Sequence, residues 1–288
     1  MKSKLKKSVC VLLVVLCLVG YSSFFTSAAA QKDIAFPTYA SNTTIYSNNE
    51  RILEGQAAII DSVTYVGLRS FCDLFGNYDI SWNAATRTAT VTGDGLSLSA
   101  TNGDLYIYAN GRCLYTVTPI RIIDDRICVP IRPIAKALGV EVEWNAESRS
   151  VELTDTNKSF LWADSFYNED DLYWLSRIIS AEAKGESLKG QIAVGNVVLN
   201  RMRSKSYPNT IYGVIFDRKH GTQFSPVAFG TIYQKPSASS VIAAKICLEG
   251  YSLSNDILFF VNPRLATSTW IEQNRFYEFT IGNHNFYS

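Results

Sequence analysis

Apolar and polar positions follow a helical period most clearly in residues 177–201, RIISAEAKGESLKGQIAVGNVVLNR. Leu175, Ile178 and Ile179 recur at helical spacing, and Ala181 and Ala183 are strong helix formers, so one helix is expected to end here. Gly185 is its expected stop, because a left-handed residue just past the last turn costs glycine nothing. A second helix begins with Ser187 as N-cap. Ile192, Val194, Val197, Val198 and Leu199 give it an almost wholly apolar body, the mark of a helix buried in the centre of a domain.

Upstream the pattern shortens to strands, and it repeats. Tyr65-Val66-Gly67-Leu68-Arg69-Ser70-Phe71 leads through Leu74-Phe75-Gly76 to Trp82-Asn83-Ala84 and Arg87. The series returns as Cys128-Val129-Pro130-Ile131-Arg132-Pro133-Ile134, Ala137-Leu138-Gly139, then Trp144-Asn145-Ala146 and Arg149, a period of 62–63 residues. Each unit predicts a strand, a short helix closed by glycine, and a strand pair around Trp-Asn-Ala, with alternation such as Ser150-Val151-Glu152-Leu153. Asn110-Gly111 predicts a hairpin turn between two strand-like runs. Trp82 and Trp144, repeated in register, are expected in the core, with stacking on sugar rings as the alternative. Arg69 and Arg132, each just past a strand, are expected to pair with a local carboxylate or carbonyl, with contact to an anionic wall polymer as the alternative. Around residues 154–168 the alternation gives way to a polar, turn-prone stretch with an aromatic patch, a linker placed at 156–167. The fold class is therefore α+β: two small α+β repeat units over 31–155, then a mainly helical domain with a small sheet over 168–288.

Glu182 falls in the last turn of the first helix, among alanines and beside a buried helix. The negative end of the helix dipole and partial desolvation both penalise its charged form and raise its pKa, which suits a general acid near neutral pH. The local pattern is equally compatible with a solvated surface carboxylate. Glu186, four residues on, would share a face with it on an unbroken helix. The Gly185 break argues against this, and Glu186 is expected instead to favour the start of the next helix.

Composition narrows the classes. The chain has 288 residues, 47% hydrophobic, enough for one or two ordinary cores. The net charge of +1 becomes −3 once Lys2, Lys4, Lys6 and Lys7 of the first thirty residues are set aside, so a basic surface for nucleic acid is not expected. Those thirty residues read as a secretory signal peptide: a lysine-rich start, an apolar run from Val9 to Gly20, then small residues ending Ala28-Ala29-Ala30. The apolar run is shorter than the roughly 20 residues of a membrane span, with an uncleaved anchor as the alternative. The remainder is expected outside the cytoplasmic membrane, with no membrane span after signal removal. With only His220 and His284 and no HExxH or CxxC spacing, no metal and no cofactor are expected. Among Cys72, Cys113, Cys128 and Cys247, the pair Cys113–Cys128 is the expected disulfide, since it flanks the candidate hairpin. Cys247 lies in a buried-helix pattern and is expected to be a core thiol; a Cys247/His284 hydrolase is the minor rival.

Several ordered motifs carry a resemblance. They are Glu182-Ala183-Lys184-Gly185-Glu186, Gly190-Gln191-Ile192-Ala193-Val194-Gly195 and Val197-Val198-Leu199-Asn200-Arg201. Pro208-Asn209-Thr210-Ile211, Gln223-Phe224-Ser225-Pro226-Val227 and Phe260-Val261-Asn262-Pro263 follow, then Ala266-Thr267-Ser268-Thr269-Trp270-Ile271 and Ile281-Gly282-Asn283-His284-Asn285-Phe286-Tyr287. Over about 171–288 the chain resembles the spore cortex-lytic enzymes among bacterial cell-wall hydrolases. The resemblance implies a lysozyme-like domain acting on peptidoglycan glycan strands, with Glu182 as catalytic acid/base. It also implies a groove in which Gln223, Phe224 and Ser225 form a strand edge for sugar N-acetyl groups. Asn262 orients Glu182 or the substrate, and Trp270 and Phe260 are stacking faces or core. His284 reads as structural. Two departures are visible: Phe260 lacks an aromatic hydroxyl frequent near that position, and Phe229 stands where an acidic residue is common before Gly230. The repeats resemble the N-terminal module of copper amine oxidases, which implies no copper here because residues 31–160 contain no histidine. They are expected to bind or position the chain on the wall.

No second carboxylate stands out among Asp217, Glu249, Asp256, Glu272 and Glu278, and a site with one acid suits lytic transglycosylation. Muramidase hydrolysis is the second expectation. A peptidoglycan amidase and a non-catalytic wall-binding protein are the rivals.

Overall fold

The computed structural model describes residues 32–219, 223–266 and 268–288. The expected signal peptide and His220 lie outside them. The β-rich part begins with β1 (Ser41–Asn42), β2 (Thr44–Ser47), β3 (Glu50–Ile52), β4 (Ala57–Ile60), β5 (Val63–Gly67), α1 (Leu68–Phe75), β6 (Asp79–Asn83) and β7 (Thr88–Gly93). It continues with β8 (Leu96–Thr101), β9 (Tyr106–Ala109), β10 (Arg112–Tyr115), β11 (Arg121–Ile123), β12 (Arg126–Pro130), α2 (Ile131–Ala137), β13 (Val140–Asn145) and β14 (Ser150–Asp155). Three sheets result, in strand orders β1-β4-β5-β12-β11, β10-β9-β8-β7-β6 and β13-β14-β2-β3. Alternation such as Leu96, Leu98 and Ala100 inward with Ser97 outward on β8 supplies one face of their shared core.

The repeat is visible as symmetry. β5 and β12 pair antiparallel with Gly67 opposite Cys128, Val66 opposite Val129 and Tyr65 opposite Pro130. The equivalent residues Val66 and Val129 face each other and the pairs on either side exchange between the units, which places a local two-fold axis between Val66 and Val129. The hairpin turns obey it: Asp61-Ser62 and Asp124-Asp125 all take positive φ, as do Arg87 and Arg149. Asn110 and Gly111 form the expected two-residue turn, at φ 49° and 79°, between β9 and β10. Arg69 donates to the Ile80 carbonyl at 3.1 Å and Arg132 to that of Val142 at 3.0 Å, the expected local partners.

Two expectations fail here. Trp82 and Trp144 are 48% and 41% exposed. They sit toward the ends of β6 and β13, the edge strands of their sheets, where the hairpins project beyond the core. Cys113 and Cys128 form no disulfide: all four cysteines among the described residues, Cys72, Cys113, Cys128 and Cys247, are free and buried. Cys113 lies on β10 in the core of the helical part, whereas Cys128 lies on β12 in a separate small cluster with Ile34, Ile60 and Tyr65. Burial pushes both thiols up to about 12.

The helical part comprises α3 (Ala163–Phe166), α4 (Glu169–Ala183), α5 (Leu188–Arg203), α6 (Ile211–Phe216), α7 (Ser225–Phe229) and α8 (Ala238–Leu248). β15 (Phe259–Val261), α9 (Trp270–Asn274), β16 (Tyr277–Ile281) and β17 (His284–Tyr287) complete it, with sheet order β15-β17-β16. Asn168 caps α4 by accepting from the Asp171 amide, and three acidic residues in the first turn complement the dipole. Ser187 caps α5 as expected, and every residue from Gly190 to Arg201 is buried. Gly195 permits close packing, since a Cβ there would stand 2.7 Å from Cys247 Sγ on α8 and 2.9 Å from Ile179 Cδ1 on α4. Cys247 is the expected core thiol.

The buried polar side chains of α5 anchor the segment that follows α8. Asn196 donates to the Tyr251 carbonyl at 3.0 Å and accepts from the Leu253 amide at 2.9 Å. Asn200 donates to the carbonyls of Ser254 and Ile257, and Arg201 Nε to that of Leu258 at 2.7 Å. The buried amides of Asn196 and Asn200 are thereby compensated, and the segment is led into β15.

A buried network joins the β-rich and helical parts. Arg112 of β10 forks onto Glu249, just past α8, at 2.7 and 2.8 Å. Lys136 and the Tyr167 hydroxyl complete the cage around that carboxylate at 2.8 and 2.9 Å. Phe160 and Phe166 cover the Arg112 guanidinium, with ring centres 3.9 and 3.4 Å from Cζ.

Candidate active site

Glu182 is the last residue but one of α4, half-buried. Desolvation pushes its pKa up to about 7, against the opposing field of Arg201. The direction is the one expected from the sequence. The helix end differs, because Gly185 does not take a left-handed conformation. Lys184, right-handed at φ −58°, closes α4 by donating to the Ser180 carbonyl, and a Cβ on Gly185 would meet nothing within 4 Å.

Arg201, in the last turn of α5, is the charged neighbour that sequence reasoning missed. It is 6% exposed, its Nε is fixed on the Leu258 carbonyl, and the rings of Tyr207, Phe224 and Phe259 surround it at 5.1–5.4 Å. Its Nη1 is buried without a hydrogen-bond partner. Desolvation lowers its pKa, while Tyr207, Asp217 and Glu182 support its charge. The signal was present: an arginine at the end of an otherwise apolar buried helix needs a reason to be there.

The expected groove residues divide. Gln223-Phe224-Ser225 is not a strand edge; it is the entry to α7, where Pro226 in the first turn favours a helix start. Phe224 is 2% exposed, with Arg201 over its ring at 5.2 Å and the Phe260 ring centre 6.4 Å away, and Arg201 in turn acts electrostatically on Glu182. Ser225 is exposed as the first residue of α7. Phe229 ends α7 and is 80% exposed. The Asn262 side chain accepts from the Arg264 amide at 3.1 Å and so shapes its own turn. Trp270 is 51% exposed at the start of α9, with Arg275 over its ring at 5.1 Å, so it offers a free face, while Phe260 packs between Phe224, His284 and Phe286 as core.

Glu186 serves a different purpose from the one expected. Its carboxylate accepts from the Asn283 amide at 3.2 Å and from Asn283 Nδ2 at 2.8 Å, tying the start of α5 to the β16–β17 turn. These bonds, first that of the Asn283 side chain, lower its pKa. Gly282 takes φ +58° there, and a Cβ on it would stand 1.9 Å from Glu186 Oε2. His284 is 6% exposed, and burial lowers its pKa, consistent with a structural role.

An aromatic array, also missed, lies along α4. Trp174 meets Tyr212, Phe216 and Tyr233 edge-on at 5.4, 5.0 and 6.2 Å, and Tyr212 stacks on Phe216 at 4.4 Å. Tyr212 and Tyr233 are exposed, and Trp174 precedes Glu182 by eight residues, about 12 Å along the helix.

Residues 185–287 match the cell wall hydrolase family, and residues 46–153 match the copper amine oxidase N-terminal domain. Glu182 thus lies just before the first matched span. The chain is similar to the spore cortex-lytic enzyme of Bacillus cereus, 37% identical over 105 residues, which are 36% of this chain and 39% of that protein. It is also similar to the cell wall hydrolase CwlJ of Oceanobacillus iheyensis, 28% identical over 37% of this chain and 79% of that protein. Among solved structures, the catalytic domain of the germination-specific lytic transglycosylase SleB from Bacillus anthracis is 36% identical, covering 42% of this chain and 97% of that chain, with a TM-score of 0.39. The chain therefore spans about two fifths of the length of the spore cortex-lytic enzyme it matches. Among the described residues no helix is long and apolar enough to cross a membrane.

Proposed function

We propose that this chain, whose residues 185–287 form a cell wall hydrolase domain, cleaves peptidoglycan glycan strands outside the cytoplasmic membrane by lytic transglycosylation, with Glu182 as the acid/base. The observation that carries the reading is the Glu182 carboxyl itself, half-buried and raised to about 7, so that it is substantially protonated at neutral pH. Its proton goes to the glycosidic oxygen as the C1–O bond breaks. The resulting carboxylate then takes the proton of the muramic C6 hydroxyl, whose oxygen closes on C1 as a 1,6-anhydro ring. Atoms and charge balance without water, and Glu182 returns to its starting state. Arg201 steadies the carboxylate in mid-cycle, when Glu182 is charged.

The relatives named spore cortex-lytic enzymes support the cortex as the substrate. One carboxylate suffices for this route, and Glu249, the most enclosed of the other acids, is committed to Arg112, Lys136 and Tyr167. Muramidase hydrolysis is the second reading. Asp217 favours it, as an acid that shares the field of Arg201 with Glu182. The test is Glu182→Gln in the full chain: release of glycan fragments from purified cortex and vegetative peptidoglycan should disappear while binding to the polymer persists. Undiminished release would overturn the assignment.

A further inference from the structure

The local two-fold of the β-rich part generates two related grooves, each with an exposed tryptophan in its wall. Trp144 and the β4–β5 hairpin line one, of about 740 Å3; Trp82 and the β11–β12 hairpin line the other, of about 260 Å3. The residues correspond through the repeat: Ile59 with Ile122, Ser62 with Asp125, Thr64 with Ile127. Sequence has made the two chemically unlike. The Trp144 groove carries the exposed Arg132 and Arg149, the hydroxyls of Ser62 and Thr64, and no acidic residue in its lining. The Trp82 groove is small and holds Asp125.

We infer that the Trp144 groove is a binding site for an anionic glycan strand, distinct from the site of cleavage. An indole that is 41% exposed on a rigid strand, fixed opposite Val151, offers a flat apolar face to the C–H face of a pyranose. The flanking hydroxyls suit the sugar's equatorial polar edge. The two arginines supply charge complementarity to carboxylates borne on the strand, and Arg132 is held in place by its bond to the Val142 carbonyl. Tyr115, in the groove wall, packs on Tyr251 of the helical part at 4.3 Å, so a strand bound here lies against the same body that carries Glu182. The identity of the polymer as peptidoglycan rests on the proposed function; the site itself rests on the groove.

The test uses the full chain carrying Glu182→Gln, so that the polymer survives, in co-sedimentation with purified insoluble peptidoglycan before and after amidation of its carboxylates. Trp144→Ala and the double variant Arg132→Gln/Arg149→Gln should each weaken binding about tenfold or more, as loss of a central anchor does. Amidation should weaken the parent similarly, and Trp82→Ala should leave it unchanged. Trp144→Phe, which keeps an aromatic face, guards against misfolding by binding better than Trp144→Ala. Binding by Trp144→Ala equal to the parent's, or equal losses for Trp82→Ala and Trp144→Ala, would overturn the inference. The readings fail separately: Trp144-dependent binding by a chain that releases no fragments with Glu182 intact would leave the groove and remove the enzyme.

Discussion

Replacing Glu182 by Gln should stabilise the fold, and only above a definite pH. The carboxyl binds protons more tightly folded than unfolded, with its pKa raised from 4.5 to about 7 by burial. Below 4.5 both states are protonated and Glu182 behaves like its amide isostere. As pH rises toward 7 the unfolded chain ionises first, so folding is penalised progressively, and the full penalty is reached above that window. At about 1.4 kcal/mol per tenfold change in proton affinity, the gap corresponds to about 3 kcal/mol. Half-burial and the lost attraction to Arg201 reduce the expected net gain of Glu182→Gln to about 2 kcal/mol at pH 8. Denaturant titrations of parent and variant from pH 4 to pH 9 read this directly, because every other titrating group cancels in the difference. The two proteins should coincide at pH 4 and diverge through neutrality, with the inactive variant the more stable. Equal stability across the range, or a variant that loses stability at pH 8, would refute the claim that burial holds this carboxyl protonated.

Other consequences follow from particular contacts. Activity should fall as pH rises through about 7, where Glu182 loses the proton it must donate, and a rate that keeps climbing above pH 8 would contradict its acid role. Arg112→Met leaves the 4%-exposed Glu249 carboxylate without its bidentate partner and should cost about 3 kcal/mol in denaturant unfolding, with much of it recovered by adding Glu249→Leu. Gly282→Ala should cost about 2 kcal/mol or more, from positive φ and collision with Glu186, whereas Gly185→Ala should be nearly neutral. The thiols of Cys72, Cys113, Cys128 and Cys247 should resist alkylation in the native protein and all react once it is unfolded, without reductant.

Local signals in the sequence were read faithfully where neighbours along the chain decide the outcome. The Ser187 cap, the buried body of α5 and the Asn110-Gly111 turn depend on a few adjacent residues and formed as expected. The repeat was legible too, and its register gave the two-fold about Val66 and Val129 once the strands were seen to pair. What escaped depends on distant partners. Glu186 meets Asn283 across 97 residues, and nothing near Glu186 announces it. Trp82 and Trp144 have a core-like residue type, but their exposure follows from edge positions that only the sheet order fixes. Cys113 and Cys128 are close in sequence yet face different clusters, because β10 and β12 belong to different sheets. Pro226 outweighed the strand reading of Gln223-Phe224-Ser225, a conflict that turn chemistry could have flagged. The raised pKa of Glu182 was legible from its helix position and neighbouring alanines; the field of Arg201 upon it required the packing of α4 on α5.

In the proposed mechanism a single carboxylate cleaves glycan without consuming water. Its most direct test is mass spectrometry of the new glycan ends after digestion of purified peptidoglycan in 18O-labelled water by the chain with Glu182 intact. Lytic transglycosylation by Glu182 gives 1,6-anhydromuramic ends carrying no label, all absent with Glu182→Gln. Reducing muramic ends that carry one 18O atom would contradict it, and would require a second acid or a positioned water beside Glu182.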